Sequence, residues 1–163
     1  MMKFNFMPNF EKKVIFYEDV LEMGYIMSYQ DSLERLFAET KVQDVMTRAL
    51  VSVDPATNLY QIAKMMAQGG MGSILVKKDG VPSGIITDRD FAIKIAAKDV
   101  SLDTSVENIA SFPLMTIDSS DSILNAAKTM SEKKIRKLAV VEDGKVVGII
   151  TSTDLVNQLS SKG

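Results

Sequence analysis

The stretch Gly84-Ile85-Ile86-Thr87-Asp88-Arg89-Asp90 returns as Gly148-Ile149-Ile150-Thr151-Ser152-Thr153-Asp154, and this repetition decides the fold. The offset between the copies is 64 residues, from position 84 to position 148. The flanking sequence keeps that offset without a gap, since Leu50, Asp54, Ala63, Lys64, Met66, Val76, Asp79 and Gly80 return as Leu114, Asp118, Ala127, Lys128, Met130, Val140, Asp143 and Gly144. Two copies are too few for a solenoid. The sequence therefore predicts two similar subdomains packed about a pseudo-twofold axis.

Each copy predicts the order strand, helix, strand, strand, helix. The first copy has a strand at 51–53, a helix from Thr57 or Asn58 to Gln68, strands at 73–77 and 83–87, and a helix at 88–97. The second copy has a strand at 114–117, a helix from Asp121 or Ser122 to Lys133, strands at 137–141 and 145–151, and a helix at 152–160. One copy of about 50 residues is marginal alone, so we expect the two sheets to face one another.

The first 41 residues lie outside the repeat and are predicted to form an N-terminal extension. Residues 14–17 favour a strand and residues 20–27 a helix, and a second helix begins at Asp31 or Ser32 with Leu33, Leu36 and Phe37 on one face. We interpret the extension as an element that covers a subdomain or contacts a second protomer. The predicted organisation is thus an extension at 1–41 and repeats at 42–98 and 104–161.

Composition argues against catalysis. The 163 residues, 46% hydrophobic and 25% charged, are typical of a globular protein that can bury roughly 70% of its unfolded surface. Cysteine and histidine are both absent, which excludes disulfides and thiolate chemistry and removes the commonest metal ligand and general base. We therefore predict no enzyme, no catalytic residues and no metal site.

Charge and hydropathy favour a cytoplasmic protein. The net charge is −2, so nucleic-acid binding is unlikely on electrostatic grounds, although Lys133, Lys134, Arg136 and Lys137 form one local basic group. No segment approaches the roughly 20 apolar residues that span a bilayer. The first residues do not resemble a secretory signal.

Both repeated motifs end at a strand-to-helix turn with Thr-x-x-Asp, the spacing of a capping box. A cap alone would stabilise the helix by about 1 kcal/mol and require no ligand. The same place also offers free backbone N–H groups to an anion and a carboxylate to a ribose diol. Gly84 and Gly148 would permit close backbone approach there. Both interpretations are open from the residues alone.

Two copies of this order, each ending in Gly-hydrophobic-x-Thr-x-x-Asp, resemble a tandem pair of CBS domains (a Bateman module) over residues 42–160. Asp44-Val45-Met46-Thr47 is similar to the usual beginning of such a domain. The resemblance implies an α/β (α+β) fold of two β-α-β-β-α repeats. It also implies a regulatory module that binds AMP, ADP, ATP or S-adenosylmethionine, forms a homodimer and regulates a partner protein.

The resemblance assigns a main cleft to the second motif. Asp154 would hold the ribose and Thr151 would face the phosphate, with Ile149 as an apolar wall. The adenine would lie near Ala49 and the backbone of Asp44, and Arg136 and Lys137 would bind phosphate. A solvated edge is the competing interpretation for these two cations.

A mirror cleft would use Asp90, Thr87 and Arg89, with Pro113 and Asn108 near the base. Gly72 and Ser73 stand at the positions equivalent to Arg136 and Lys137. We therefore expect a phosphorylated nucleotide to prefer the Asp154 cleft. The alternatives are a protein-interaction module whose clefts are empty and, less favoured, nucleic-acid binding.

Overall fold

The computed structural model describes residues 31–160, so the strand predicted at 14–17 and the helix predicted at 20–27 lie outside the described residues. The chain divides into two compact units, Met1–Leu36 and Phe37–Gly163. Residues 31–36, the described part of the first unit, are helical, as expected. Residues 37–39 of the second unit are also helical, and both repeats lie within that unit.

The first repeat contains a short helix α1 (Val42–Val45), strand β1 (Ser52–Val53), helix α2 (Leu59–Gly69) and strands β2 (Ser73–Lys78) and β3 (Val81–Thr87). A helical segment follows β3 directly, with α3 (Asp88–Asp90) as its first turn. The second repeat begins with a 3-10 turn (Val106–Asn108) and continues with β4 (Thr116–Asp118), α4 (Ile123–Lys133), β5 (Lys137–Glu142), β6 (Lys145–Thr151) and α5 (Ser152–Ser160). The predicted order is confirmed in both copies.

Each repeat forms its own three-stranded sheet, in the orders β1-β2-β3 and β4-β5-β6. The first strand runs parallel to the central one, and the third runs antiparallel to it. The registers are equivalent, since Val76 lies opposite Gly84 and Val140 opposite Gly148. The 64-residue offset in sequence is therefore preserved in the strand pairing.

The helix caps settle two alternatives that the sequence leaves open. The Asn58 side chain accepts a hydrogen bond of 2.9 Å from the Gln61 amide, and the Ser122 hydroxyl accepts one of 3.2 Å from the Asn125 amide. These residues, and not Thr57 and Asp121, are the N-caps of α2 and α4. Gly70 ends α2 in the left-handed region at φ 59°, which glycine adopts without steric penalty.

The segment after β3 differs from the regular helix predicted at 88–97. It is α-helical only over Asp88–Asp90, then π-helical over Phe91–Ile95 and 3-10 over Ala96–Lys98. The Ala96 amide is shared between the carbonyls of Ala92 and Phe91, so the turn is widened. In the second repeat, the equivalent α5 is an ordinary α-helix. The two copies therefore differ in the helix that begins at the repeated motif.

Each repeat has its own hydrophobic core between sheet and helices. One core contains Ile74, Val76 and Ile86 with α2, and the other contains Leu138, Val140 and Ile150 with α4. Leu75 and Ala139 are buried but belong to neither core. Since strand residues alternate between faces, the second face of each sheet is also covered within this unit.

The segments with which the two repeats begin, residues 40–49 and 104–113, are exchanged. We call them the leading segments. Val42, from the first leading segment, lies in the core of the second repeat, and Val106 lies in the core of the first. Both are fully buried. Each repeat therefore completes its hydrophobic core with a residue from the chain that leads into the other.

Backbone hydrogen bonds fix this exchange in two equivalent sets. Val42 N donates to Asp121 O at 2.9 Å, and Val106 N donates to Thr57 O at 2.8 Å. Further along, Thr47 pairs with Ile149 in β6, and Ser111 pairs with Ile85 in β3. All four N–H to O distances in these two pairs lie between 2.9 and 3.1 Å. The partners of each set are related by the 64-residue offset, as a pseudo-twofold axis requires.

The repeated glycines serve this exchange. A Cβ atom at Gly148 would lie 2.5 Å from the Met46 sulfur and 3.0 Å from the Thr47 carbonyl oxygen. A Cβ atom at Gly84 would meet the Phe112 ring. The close approach at these glycines is thus made by the leading segments. Separately, no helix within residues 31–160 is long and apolar enough to cross a membrane.

We expect Val42→Ala and Val106→Ala each to lower the free energy of unfolding by about 2 kcal/mol, because each removes buried methyl groups and leaves a cavity. Urea denaturation measures the change. Val156→Ala is the control, since Val156 is 60% exposed and its truncation should change stability by no more than about 0.5 kcal/mol. Decreases in the free energy of unfolding no larger than that of the control would contradict the burial of Val42 and Val106 in the exchanged cores.

Candidate functional site: a cleft between the repeats

A cleft of about 190 Å³ lies where the first motif meets the second repeat. We call it the Asp90 cleft. Its lining residues come from three places: the end of the first repeat, the second leading segment with the residues after it, and the approach to β5. They are Ile85, Thr87, Arg89 and Asp90; Ser111, Pro113, Leu114 and Met115; and Lys134, Ile135, Arg136, Lys137 and Ala139. A ligand held here would contact both repeats.

Thr87 and Asp90 form the capping box that their spacing predicts. The Thr87 amide and the Thr87 hydroxyl both donate to Asp90 Oδ2, each at 2.8 Å. The box holds the carboxylate at the first turn of the helix, with 13% of the Asp90 side chain exposed. The cap and the candidate ligand group are therefore the same residue pair, and the two interpretations of the motif are compatible.

The other Asp90 oxygen, Oδ1, forms an ion pair of 2.9 Å with Lys94, one turn along the helical segment. Lys94 Nζ also donates to the Ile109 carbonyl and the Ser111 hydroxyl, both at 3.0 Å. Ile109 and Ser111 belong to the second leading segment. Sequence analysis missed Lys94, although its spacing of four residues from Asp90 is that of a helical ion pair.

Four cationic side chains form a basic wall of the cleft. The cationic lining residues are Arg89, Lys134, Arg136 and Lys137, and the one lining carboxylate is that of Asp90. Just outside, an Arg136 guanidinium nitrogen lies 4.0 Å from Asp88 Oδ1, a weak exposed pair. The cleft therefore carries a net positive charge that suits an anionic ligand.

Burial holds the pKa of the half-buried Lys137 ammonium below its ordinary value. The Asp88 carboxylate opposes this effect, the Arg136 guanidinium adds to it, and Asp154 also opposes it. Burial changes the pKa of Lys137 more than the two carboxylates do. The positive charge of the ammonium is therefore only partly compensated in the protein alone. An anion in the cleft would supply the missing counter-charge.

Sequence analysis assigned Arg136 and Lys137 to the Asp154 cleft, and that assignment stays a prediction. The structure places both in the lining of the Asp90 cleft. Lys137 extends towards the first repeat, where its Nζ is 2.9 Å from where a Cβ atom at Gly72 would stand. The missing side chain at Gly72 leaves the space through which Lys137 reaches towards Asp88.

The second motif has the same local geometry. The Thr151 amide and hydroxyl each donate to Asp154 Oδ2 at 2.7 Å, and the Asp154 amide donates to the Thr151 hydroxyl at 3.3 Å. Ile149, the predicted apolar wall, pairs with Thr47 of the first leading segment. Ala49, two residues further, is exposed.

The structure also gives the positions of the residues predicted to lie near a base. Asp44 lies in α1, where its carboxylate accepts a hydrogen bond of 3.3 Å from the Lys41 amide. Asn108 is exposed at the end of the 3-10 turn and is not among the residues lining the Asp90 cleft. Pro113, in contrast, lies in that cleft together with Thr87, Arg89 and Asp90. The structure thus brings together four of the five residues predicted for the mirror cleft.

A larger hollow of about 480 Å³ lies beside α2, but none of its lining residues belongs to a repeated motif. It is a shallow surface depression that contains the ion pair between Lys77 Nζ and Asp54 Oδ1 at 3.7 Å. Over residues 31–160, no cluster of three or more potential metal-ligating side chains occurs. The Asp90 cleft is therefore the better candidate site.

Comparison with known proteins agrees with this architecture. The family model described as "CBS domain" matches residues 42–97 and 106–161. The CBS domain-containing protein YhcV of Bacillus subtilis is 33% identical over 124 residues, which cover 76% of this chain and 89% of YhcV.

Two solved structures extend the comparison. An uncharacterized conserved protein from Pyrococcus horikoshii superimposes with a TM-score of 0.71 at 27% identity, covering 77% of this chain and 95% of that protein. The CBS domain pair of protein MJ0100, solved with 5′-methylthioadenosine and S-adenosyl-L-methionine, has a TM-score of 0.69 at 25% identity, covering 76% and 98%. With two matched units that together span more than half of its length, the chain belongs to the CBS-domain family as a tandem pair.

Proposed function

We propose that this chain is a regulatory module, not an enzyme, that senses an adenosine-containing ligand bound between its two CBS domains. The observation that carries the proposal is the Asp90 cleft, whose lining combines a carboxylate at a helix start with four cationic side chains from both repeats. The complex of the MJ0100 pair with two adenosine derivatives supports the same ligand class.

The charge of the cleft favours a phosphate-bearing nucleotide, namely AMP, ADP or ATP. Guanidinium and ammonium groups form charge-assisted hydrogen bonds with phosphate oxygens, and these bonds are stronger than neutral ones. S-adenosylmethionine carries a sulfonium cation in place of phosphate, so the basic wall disfavours it. The phosphorylated ligand is therefore proposed for the Asp90 cleft, in place of the preference for the Asp154 cleft that we expected from the sequence.

Binding would regulate through the contacts between repeats. A ligand shifts an equilibrium only by its different affinity for the two arrangements. One that contacts Thr87 and Asp90 on one side and Arg136 and Lys137 on the other favours the arrangement that brings these groups together. We propose that a cytoplasmic homodimer transmits this change to a partner protein. The exposed apolar residues Ile93, Val156 and Leu159, on the helices that follow β3 and β6, support the dimer.

Isothermal titration calorimetry with AMP, ADP, ATP and S-adenosylmethionine tests the proposal. We expect saturable binding of a phosphorylated nucleotide that is lost in Asp90→Ala and retained in Asp154→Ala, because Asp90 is among the residues that line the cleft with the basic wall and Asp154 is not. Loss of nucleotide binding in Asp154→Ala alone would assign the binding site to the Asp154 cleft. No heat and no thermal shift with any nucleotide would favour an interaction module with empty clefts.

Lys137→Met should weaken AMP binding about tenfold, the loss of about one charge-assisted hydrogen bond, and leave adenosine binding unchanged. The melting temperature should stay the same or rise, because the variant removes a half-buried ammonium. Lys145→Met is the matched control, since Lys145 is exposed in the β5–β6 turn region. Equal losses for AMP and adenosine would show that Lys137 supports the fold of the site and not the phosphate.

The affinity for AMP should also fall as the pH rises above neutrality. The bound phosphate favours protonated Lys137, and the pKa of this group in the free protein already lies below that of an ordinary lysine. The decline should therefore begin at a lower pH than an unperturbed lysine would give. Calorimetry across an alkaline pH series measures it, with Lys137→Met as control. The same decline in that variant would assign the titration to another group.

A further inference from the structure

The Asp90 carboxylate has little capacity left for a ligand. An ionised carboxylate offers about four acceptor positions on its two oxygens. Oδ2 accepts two hydrogen bonds from Thr87, and Oδ1 accepts one from Lys94. About one position remains. A ribose diol that donates both hydroxyls to the carboxylate requires two.

Lys94 is not readily displaced from this position. Its ammonium has three N–H donors, and the structure gives it three acceptors: Asp90 Oδ1, the Ile109 carbonyl and the Ser111 hydroxyl. Only 35% of its side chain is exposed. Moving it would break bonds to the leading segment as well as the ion pair.

The local backbone supports a specific role for this lysine. Lys94 lies within the π-helical turn Phe91–Ile95, and such turns occur frequently at functional sites. The equivalent position in the regular helix α5 is Gln158, a neutral residue. The first repeat thus differs from the second in both the helix type and the charge beside the motif aspartate.

We propose that Lys94 is a specificity-determining residue that reduces the contribution of the ribose hydroxyls to binding in the Asp90 cleft. The inference rests on the proposed nucleotide site and deepens it. With Lys94 on Oδ1, Asp90 accepts one ligand hydroxyl, and recognition depends mainly on the phosphate and the basic wall. The cleft therefore binds adenine nucleotides with an affinity that depends little on the sugar hydroxyls, so it also binds deoxyribonucleotides.

Calorimetry with AMP and 2′,3′-dideoxy-AMP tests this on the Asp154→Ala protein, where binding at the other motif is removed. With Lys94 intact, we expect the dideoxy compound to bind no more than about tenfold more weakly, since one charge-assisted hydrogen bond is lost. In Asp154→Ala/Lys94→Met, Oδ1 is released and both hydroxyls can bond. The difference in affinity between AMP and the dideoxy compound should then rise to about a hundredfold, since two charge-assisted hydrogen bonds are lost.

Lys98→Met in the same background is the control, because it removes an exposed charge from the same helical segment. Lys98→Met should keep the small difference in affinity between AMP and 2′,3′-dideoxy-AMP. A hundredfold difference with Lys94 intact, or an unchanged difference in Lys94→Met, would overturn the inference. Should Lys94→Met fail to fold, the ratio measured with Lys94 intact still decides. If AMP itself does not bind to Asp154→Ala, both the proposed nucleotide site and this inference are rejected. If AMP binds normally but the ratio of the AMP and dideoxy-AMP affinities differs from the expected one, only the inference is rejected.

Discussion

The exchange of the leading segments is the constraint on which the rest of the structure depends. Val42 completes the core of the second repeat and Val106 that of the first, so neither sheet-helix unit is complete without chain from the other. Backbone pairing of Thr47 with Ile149 and of Ser111 with Ile85 then places each leading segment along the strand that ends in the other motif. The Asp90 cleft is therefore lined by residues of both repeats.

The same geometry explains why the two clefts differ in charge although the motifs are nearly identical. Lys137 Nζ lies close to Gly72, just before β2, and the small residue Gly72 leaves room for the long Lys137 side chain. Arg136 and Lys137 therefore line the cleft at the motif of the first repeat. Lys94 adds a second difference, because it neutralises Asp90 and ties it to the leading segment. Near-symmetric backbones thus carry two chemically different sites.

Much of the fold could be predicted from the sequence, because the 64-residue repeat, the capping residues and the turn glycines are local signals. The strand order and the Thr-x-x-Asp capping boxes followed from them. The π-helical turn could not be predicted, since nothing local distinguishes Phe91–Ile95 from an ordinary helix. The assignment of Arg136 and Lys137 to the Asp154 cleft came from the resemblance and stays a prediction. Their place in the lining of the Asp90 cleft could not be predicted, because contact across the axis depends on the space at Gly72. The ion pair of Lys94 with Asp90 could have been predicted from their spacing of four residues, but its contacts with Ile109 and Ser111 could not, because these residues are distant in sequence.

The central claim is that the basic cleft between the repeats, and not the one at Asp154, receives the phosphate of an adenine nucleotide. A crystal structure of the protein grown with AMP tests it most directly. The account predicts AMP in the Asp90 cleft, with phosphate oxygens within hydrogen-bonding distance of Arg136 or Lys137. AMP bound against Thr151 and Asp154, with its phosphate away from these two cations and the Asp90 cleft empty, would contradict it.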